Sequence, residues 1–439
     1  MSKTTIRILL GAMMFFQYAA WGAWAPVLGA TLGKAVNEGG LFGASGTLIG
    51  AVFGVLWLAC IFVPFVGGQL VDRAIPGQLY MGASAVVCAG TAWVASQQTR
   101  VGNLLPEIFP IVPTGGFALW LVLWAIAFAP TIGIGNSLCL HFLSREEGST
   151  EAERERAFSV IRTMGTIGWI VVAFVEGWAK TQFPKIPIVE FSVSAIAAIL
   201  WAVCSFTLPN VPPAKQGVDP FAFKKAFALF GKVPGFTAFM LISLVASAEF
   251  QFFYTLSGQF LGSLGVPDSQ LAPYKSTSQM AEVLALAILL PICLKKFGMR
   301  WTLVVGTLAW SLRYFIFATK VFLPVVLSLS LHGIGFAFVF ITSYFYIDRV
   351  APKDIRASAQ SLFTLVTLGV GNWLGSILSG KLQDAFTTKV GETATVNWPM
   401  VFIVPAILTL VSAIAFFATF KEPAAQSESD EELRAAPAH

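Results

Sequence analysis

The stretch Ile161-Arg-Thr-Met-Gly-Thr-Ile-Gly-Trp169 puts a full positive charge inside an apolar segment long enough to cross a membrane. A charge in hydrocarbon is costly and rare, so it points to function or to a buried partner. In a helix Arg162, Thr166 and Trp169 fall at i, i+4 and i+7 and share one stripe. A guanidinium, a hydroxyl and a broad aromatic ring on one face can grip a polar, ring-shaped solute. The plainer alternative is helix packing, with Gly165 and Gly168 allowing close approach and the arginine paired to a buried acid.

Candidate partners lie in other apolar runs. Three acids fall within them: Glu176, Glu249 and Glu282. Glu282 sits near the middle of its run, and Gln279 precedes it by one turn, so amide and carboxylate share a face. Gln251 and Tyr254 are likewise i and i+3. Near the start of the chain Gln17, Trp21 and Trp24 form another stripe, and Asn136, His141 and His332 add polar atoms. Each lone histidine reads as a hydrogen-bonded packing residue before it reads as a ligand. Glu249 reads slightly better as the structural partner of Arg313 than as a site residue.

These residues are carried by a chain of 439 residues, 56% hydrophobic and 12% charged, with a mean hydropathy of +0.75. Soluble domains carry about 25% charged residues, so this is an integral membrane protein. About twelve apolar runs approach the roughly 20 residues of a spanning helix. They lie near 6–30, 46–67, 79–97, 111–142, 158–178, 188–208, 236–262, 271–294, 301–319, 322–347, 358–380 and 399–420. The alternation of a barrel strand is missing from them. The basic lead Met1–Arg7 runs straight into the first span, with no small-residue cleavage site clear of it. Lysines and arginines favour one set of loops by about two to one, which places both termini in the cytoplasm of a multi-pass protein of the inner membrane. The formal charge of +5 is this topology signal and calls for no nucleic acid. Cys60, Cys88, Cys139, Cys204 and Cys293 lack ligand spacing and read as free thiols, so neither a metal nor a cofactor is expected.

The runs divide six and six. Residues 1–208 form an N-terminal bundle and 236–420 a C-terminal bundle. The proline-rich stretch 209–235 joins them and includes an amphipathic segment, Phe221–Phe230, expected on the inner membrane surface. Residues 421–439 are an acidic tail expected to be disordered. Gly165-Thr-Ile-Gly-Trp169 and Gly369-Val-Gly-Asn-Trp373 echo one another across the halves. Such a split suggests a central cavity open to each side in turn.

After the second run comes Gly67-Gly-Gln-Leu-Val-Asp-Arg73, a glycine turn and an Asp-Arg pair. It resembles the loop between helices two and three of the major facilitator superfamily. That resemblance implies two six-helix bundles and a gating role for Gly68, Asp72 and Arg73. A more specific resemblance rests on five further stretches. Ile161–Trp169, Ser276-Thr-Ser-Gln-Met-Ala-Glu282, Leu312-Arg-Tyr314, Leu331-His-Gly-Ile334 and Ile355-Arg-Ala-Ser-Ala-Gln360 occur in the order found in bacterial nucleoside–proton symporters. Phe16-Gln-Tyr18 and Trp21-Gly-Ala-Trp24 extend the likeness through the first span. It implies nucleoside uptake driven by the proton gradient, with Arg162, Thr166, Gln251, Gln279 and Glu282 lining a central cavity. Trp169 would wall the base or ribose, with Tyr254 and Phe336 nearby. Where that family usually has an aspartate, this chain has Ala337, which leaves Glu282 to carry the proton. An uncoupled facilitator, a carrier of another polyhydroxylated solute such as a sugar, and a non-transporting sensor are the alternatives. No metalloprotease helix, nucleotide-binding glycine loop or serine elbow is present, so no enzyme is expected. The working unit is expected to be a monomer.

Overall fold

The protein is described here by a computed structural model covering residues 1–101, 103–104, 113–114, 116–146, 148–213, 222–352, 355–390 and 393–422. Among these, ten helices are long and apolar enough to cross a membrane. Seven are single elements: Gly46–Arg73, Gly77–Ser96, Gly116–Ser144, Glu151–Gln182, Val189–Thr207, Phe236–Ser263 and Trp398–Thr419. Phe322–Val350 and Ser358–Ala385 are helical throughout but change pitch. Asp268–Ala318 is 51 residues long, about 76 Å if straight, more than twice the roughly 30 Å of hydrocarbon. It is broken at Gly298, where φ is 75° and ψ is 179°. Lys3–Gly22 adds a further helix of 20 residues. It ends in a turn at Ala23–Val27, after which the short helix Leu28–Gly33 follows.

Glycines set the closest helix contacts. A Cβ on Gly168 would lie 2.1 Å from the Phe15 carbonyl oxygen, so Glu151–Gln182 presses directly on Lys3–Gly22. In the second half Gly375 brings Ser358–Ala385 against the Ala248 carbonyl of Phe236–Ser263, again at 2.0 Å from the imagined Cβ. The sequence echo between 165–169 and 369–373 lies on the two helices that make these contacts, with Gly375 just beyond it. Aromatic clusters fill each half, around Trp24, Trp124 and Phe191 in the first and Phe239, Phe363 and Phe416 in the second.

The halves are tied at the end of the molecule away from the N-terminus. Lys34 pairs with Asp268 at 2.7 Å. Asp384 accepts from the Gly46 and Thr47 amides, each at 2.7 Å, capping a helix of the other half. Gly50 packs on the Ser376 carbonyl and Gly177 on that of Ser269.

Two sequence expectations change. Gly67 and Gly68 lie inside Gly46–Arg73, which runs unbroken to Arg73, so there is no glycine turn. Gly67 instead makes room for Pro130 and Tyr80. The amphipathic segment forms a 3-10 helix, Ala222–Ala228, continued by Leu229–Lys232. Ala226 and Leu229 are buried in the second half's core, while Phe227 is exposed. The acidic stretch 426–433 and Phe221 lie outside the described residues.

Candidate functional site

Between the halves lies a cavity of about 220 Å³. The first half contributes Arg162, Thr166 and Trp169 from Glu151–Gln182, and Tyr18, Trp21 and Trp24 from the first helix and the turn after it. The second half contributes Phe250, Gln251 and Tyr254 from Phe236–Ser263, Gln279 and Glu282 from Asp268–Ala318, and Phe336. Most of its wall is aromatic, and its polar groups converge from opposite sides. That pattern suits a small molecule with flat apolar faces and polar edges.

The helices place these groups by simple spacing. Arg162, Thr166 and Trp169 share one stripe because the helix runs unbroken through them. It opens on a capping box, with Thr150 bonded to the Glu153 amide and Glu153 bonded back. Gln279 and Glu282 close the regular part of their helix. Immediately afterwards Ala285–Leu289 widens to π pitch, as do Ala337–Ile341 after Phe336 and Leu365–Gly371 around the cavity residue Leu368. Such widened turns re-aim side chains and recur at functional sites.

Arg162 lies over the Tyr18 ring, 4.5 Å from its centroid. Among the described residues it has no acid within ion-pair distance, and neither has Glu282 a base. Gln279 donates to the Tyr254 hydroxyl at 3.3 Å and accepts from Ser278 at 3.0 Å. The Gln251 Oε1 atom is buried without a partner. Trp21 meets Trp169 edge to face at 5.2 Å, and Trp169 meets Tyr254 at 6.3 Å across the halves. Cation, acid and amides thus face one space with bonding capacity unspent.

Not every candidate reaches it. Gln17 is fully buried in the first bundle, where its Nε2 donates to Thr131 at 3.0 Å. Asn136 does not line the cavity either, and its Oδ1 is buried without a partner. Glu249 pairs with Arg313 at 3.4 Å, and Arg313 bonds the His332 ring. His332 stacks between Phe250 and Phe253. This trio holds the wall rather than facing the space. Glu176 pairs with Lys180 at 2.8 Å near the tied end. Ala337 packs with Ala285, Leu290 and Phe338, away from the cavity. Among the described residues no ion pair involves Asp72 or Arg73.

Tyr18, Phe53, Trp57 and Phe250 are among the lining residues that the sequence did not single out. With Trp21 and Ala25, Tyr18 forms a stripe one position round the helix from Gln17. Trp21 and Trp24 of the expected stripe do line the cavity, whereas Gln17 at its edge turns inward to Thr131.

The model of the nucleoside H+ symporter family matches residues 3–425 of the chain. This protein belongs to that family. It is 30% identical to xanthosine permease of Escherichia coli over 95% of this chain and 96% of that one. It is 27% identical to the nucleoside permease NupG of the same organism, over 95% and 96%. The crystal structure of an Asp→Ala mutant of NupG superimposes with a TM-score of 0.80, covering 95% of this chain and 100% of that one. Peptide transporter POT, at 12% identity and a TM-score of 0.71, shares the fold alone. The chain is therefore a multi-pass membrane transporter of the major facilitator fold and not an enzyme. Its family moves nucleosides with protons, and no finding favours a facilitator, a sugar carrier or a sensor.

Proposed function

We propose that this protein takes nucleosides into the cell across the cytoplasmic membrane, each with a proton, by tilting one half against the other around this cavity. The observation that carries the site assignment is the pair Arg162 and Glu282, which line the same aromatic chamber from opposite halves with no ion-pair partner among the described residues. Arg162 and Thr166 hold the solute from the first half. Gln251, Gln279 and Glu282 bond its hydroxyls and base edge from the second. Trp169, Tyr254 and Phe336 wall the ring faces, where flat rings are attracted beyond simple burial. A site built on such bonds rejects analogues that leave its polar atoms unpaired.

Glu282 carries the proton. A solute entering between it and the guanidinium across the chamber changes the carboxyl's surroundings, and so when it holds its proton. Ala337, packed among apolar neighbours, takes no part. The topology is twelve spans with both termini in the cytoplasm. Splitting the Asp268–Ala318 rod at Gly298 and counting Lys3–Gly22 supports that number. Residues 1–208 and 236–420 are the moving units, joined through 209–235. With the halves tied at the outer end, Gly68, Asp72 and Arg73 are in their released state and would latch when the outside opens.

The test is calorimetric titration of the purified protein with uridine and adenosine. Wild type binds at least one of them, and Arg162→Ala weakens that binding about tenfold or more, the scale of a lost charge-assisted contact. No binding by wild type, or unchanged binding by Arg162→Ala, would overturn the assignment.

A further inference from the structure

One buried charge has no role in holding the solute. Lys275 lies on Asp268–Ala318, seven residues before Glu282, with only 2% of its surface exposed. Its Nζ donates to the carbonyl of Pro26, in the other half, at 2.7 Å. A weaker contact reaches the Tyr254 carbonyl at 3.5 Å. The rings of Phe253 and Tyr254 lie 5.0 and 5.7 Å away. Among the described residues no carboxylate is within ion-pair distance.

Packing alone does not explain an unpaired ammonium at this depth, because charges in a membrane interior are normally matched. Its acceptor is equally unusual. Pro26 stands in the turn between Lys3–Gly22 and Leu28–Gly33. A carbonyl released from a helix within the membrane must find another donor. Trp24 and Ala25 just before it, and Tyr254 opposite, all line the cavity. The bond therefore crosses from half to half immediately above the chamber's outer wall. Among the described residues it is the buried one of the polar links between the halves, since the Lys34–Asp268 pair is exposed and the Asp384 cap is only half-buried.

We propose that Lys275 is the inner latch of the outer gate: its ammonium holds the broken first helix shut over the substrate chamber and must release Pro26 for the outside to open. It is a positioning residue, since it acts through the helix turn and touches no solute. The inference rests on alternating access about the cavity, but its readout is separate from binding.

Ser376, fully buried at the seam where Gly50 meets its carbonyl, reports on the gate when changed to cysteine. Labelling by a membrane-impermeant maleimide added outside is measured above the background of the parent with its native thiols. Lys275→Met, which keeps length and loses the charge, should label on the order of tenfold faster, the scale of one charge-assisted hydrogen bond. Lys275→Arg keeps a donor and should stay within about twofold of the parent rate. Uridine affinity should be unchanged in both, unlike in Arg162→Ala. Should Lys275→Met fail to reach the membrane, Lys275→Gln serves, with faster labelling than the parent again expected. Parental labelling in the neutral variants, equal acceleration in Lys275→Arg, or loss of uridine binding in Lys275→Met would each overturn the latch.

Discussion

At the scale of residues, two buried acids in the second half have opposite duties. Glu249 is committed to Arg313, which in turn holds His332, so all three are structural. Glu282 has no such partner and faces the chamber. Removing one side of a buried ion pair leaves the other charge uncompensated, at a cost of about 3–5 kcal/mol. Glu249→Ala should therefore lose most of its folded, monodisperse protein in detergent, whereas Glu282→Gln should melt within a degree or two of wild type. Equal thermal stability of the two variants would contradict the distinction. Much of this was legible beforehand. A lone arginine with threonine and tryptophan at helical spacing has few explanations in hydrocarbon, and the stripe does face the cavity. Gln17 and Asn136 were misplaced because a helix gives no absolute rotation: an amide is as welcome bonded to Thr131 inside a bundle as facing a solute. Lys275 was hidden for a related reason. Its place in the chain gives no sign that its acceptor is a carbonyl of the other half.

At the scale of elements, small residues decide how near the helices come. A Cβ on Gly168 would collide with backbone, which cannot swing aside, whereas one on Gly90 meets nothing within 4 Å. Gly168→Leu should abolish folded protein and Gly90→Leu should leave it unchanged, as read by size-exclusion chromatography of membrane extracts. The loop after Gly116–Ser144 holds the acid of a charge pair, outside the spanning helices. Arg7 bonds both carboxylate oxygens of Glu146 and holds its carboxyl below the ordinary value of 4.5. The folded state thus favours the charged form. The pair's contribution is complete above pH 4.5 and fades as pH falls through the lowered value. Glu146→Gln should lower the melting temperature by roughly 2 °C at pH 7, and the gap should close on acidification; a gap that widens in acid would contradict the pairing. The length and hydropathy of most helices could be read in the chain, but their irregularities could not. The three π-pitched stretches carry no composition signal, and Gly67 and Gly68 look like a turn until neighbouring Pro130 and Tyr80 show why glycine is needed within a helix.

At the scale of the whole molecule, two bundles meet at one end and enclose a largely aromatic chamber between them. The long apolar runs anticipated the helices, since each run buries its backbone bonds only as a helix. The face each helix turns to the centre depends on contacts between runs far apart in the chain, and those emerge only in three dimensions. Ala337 is an example: its sequence neighbourhood suggests the chamber, yet it packs beside Ala285 and Leu290. The most direct test is radiolabelled uridine uptake into proteoliposomes under an imposed proton gradient, wild type beside Glu282→Gln. Wild type should accumulate uridine above equilibrium, and the variant should only equilibrate it; accumulation by Glu282→Gln at the wild-type level would contradict the account.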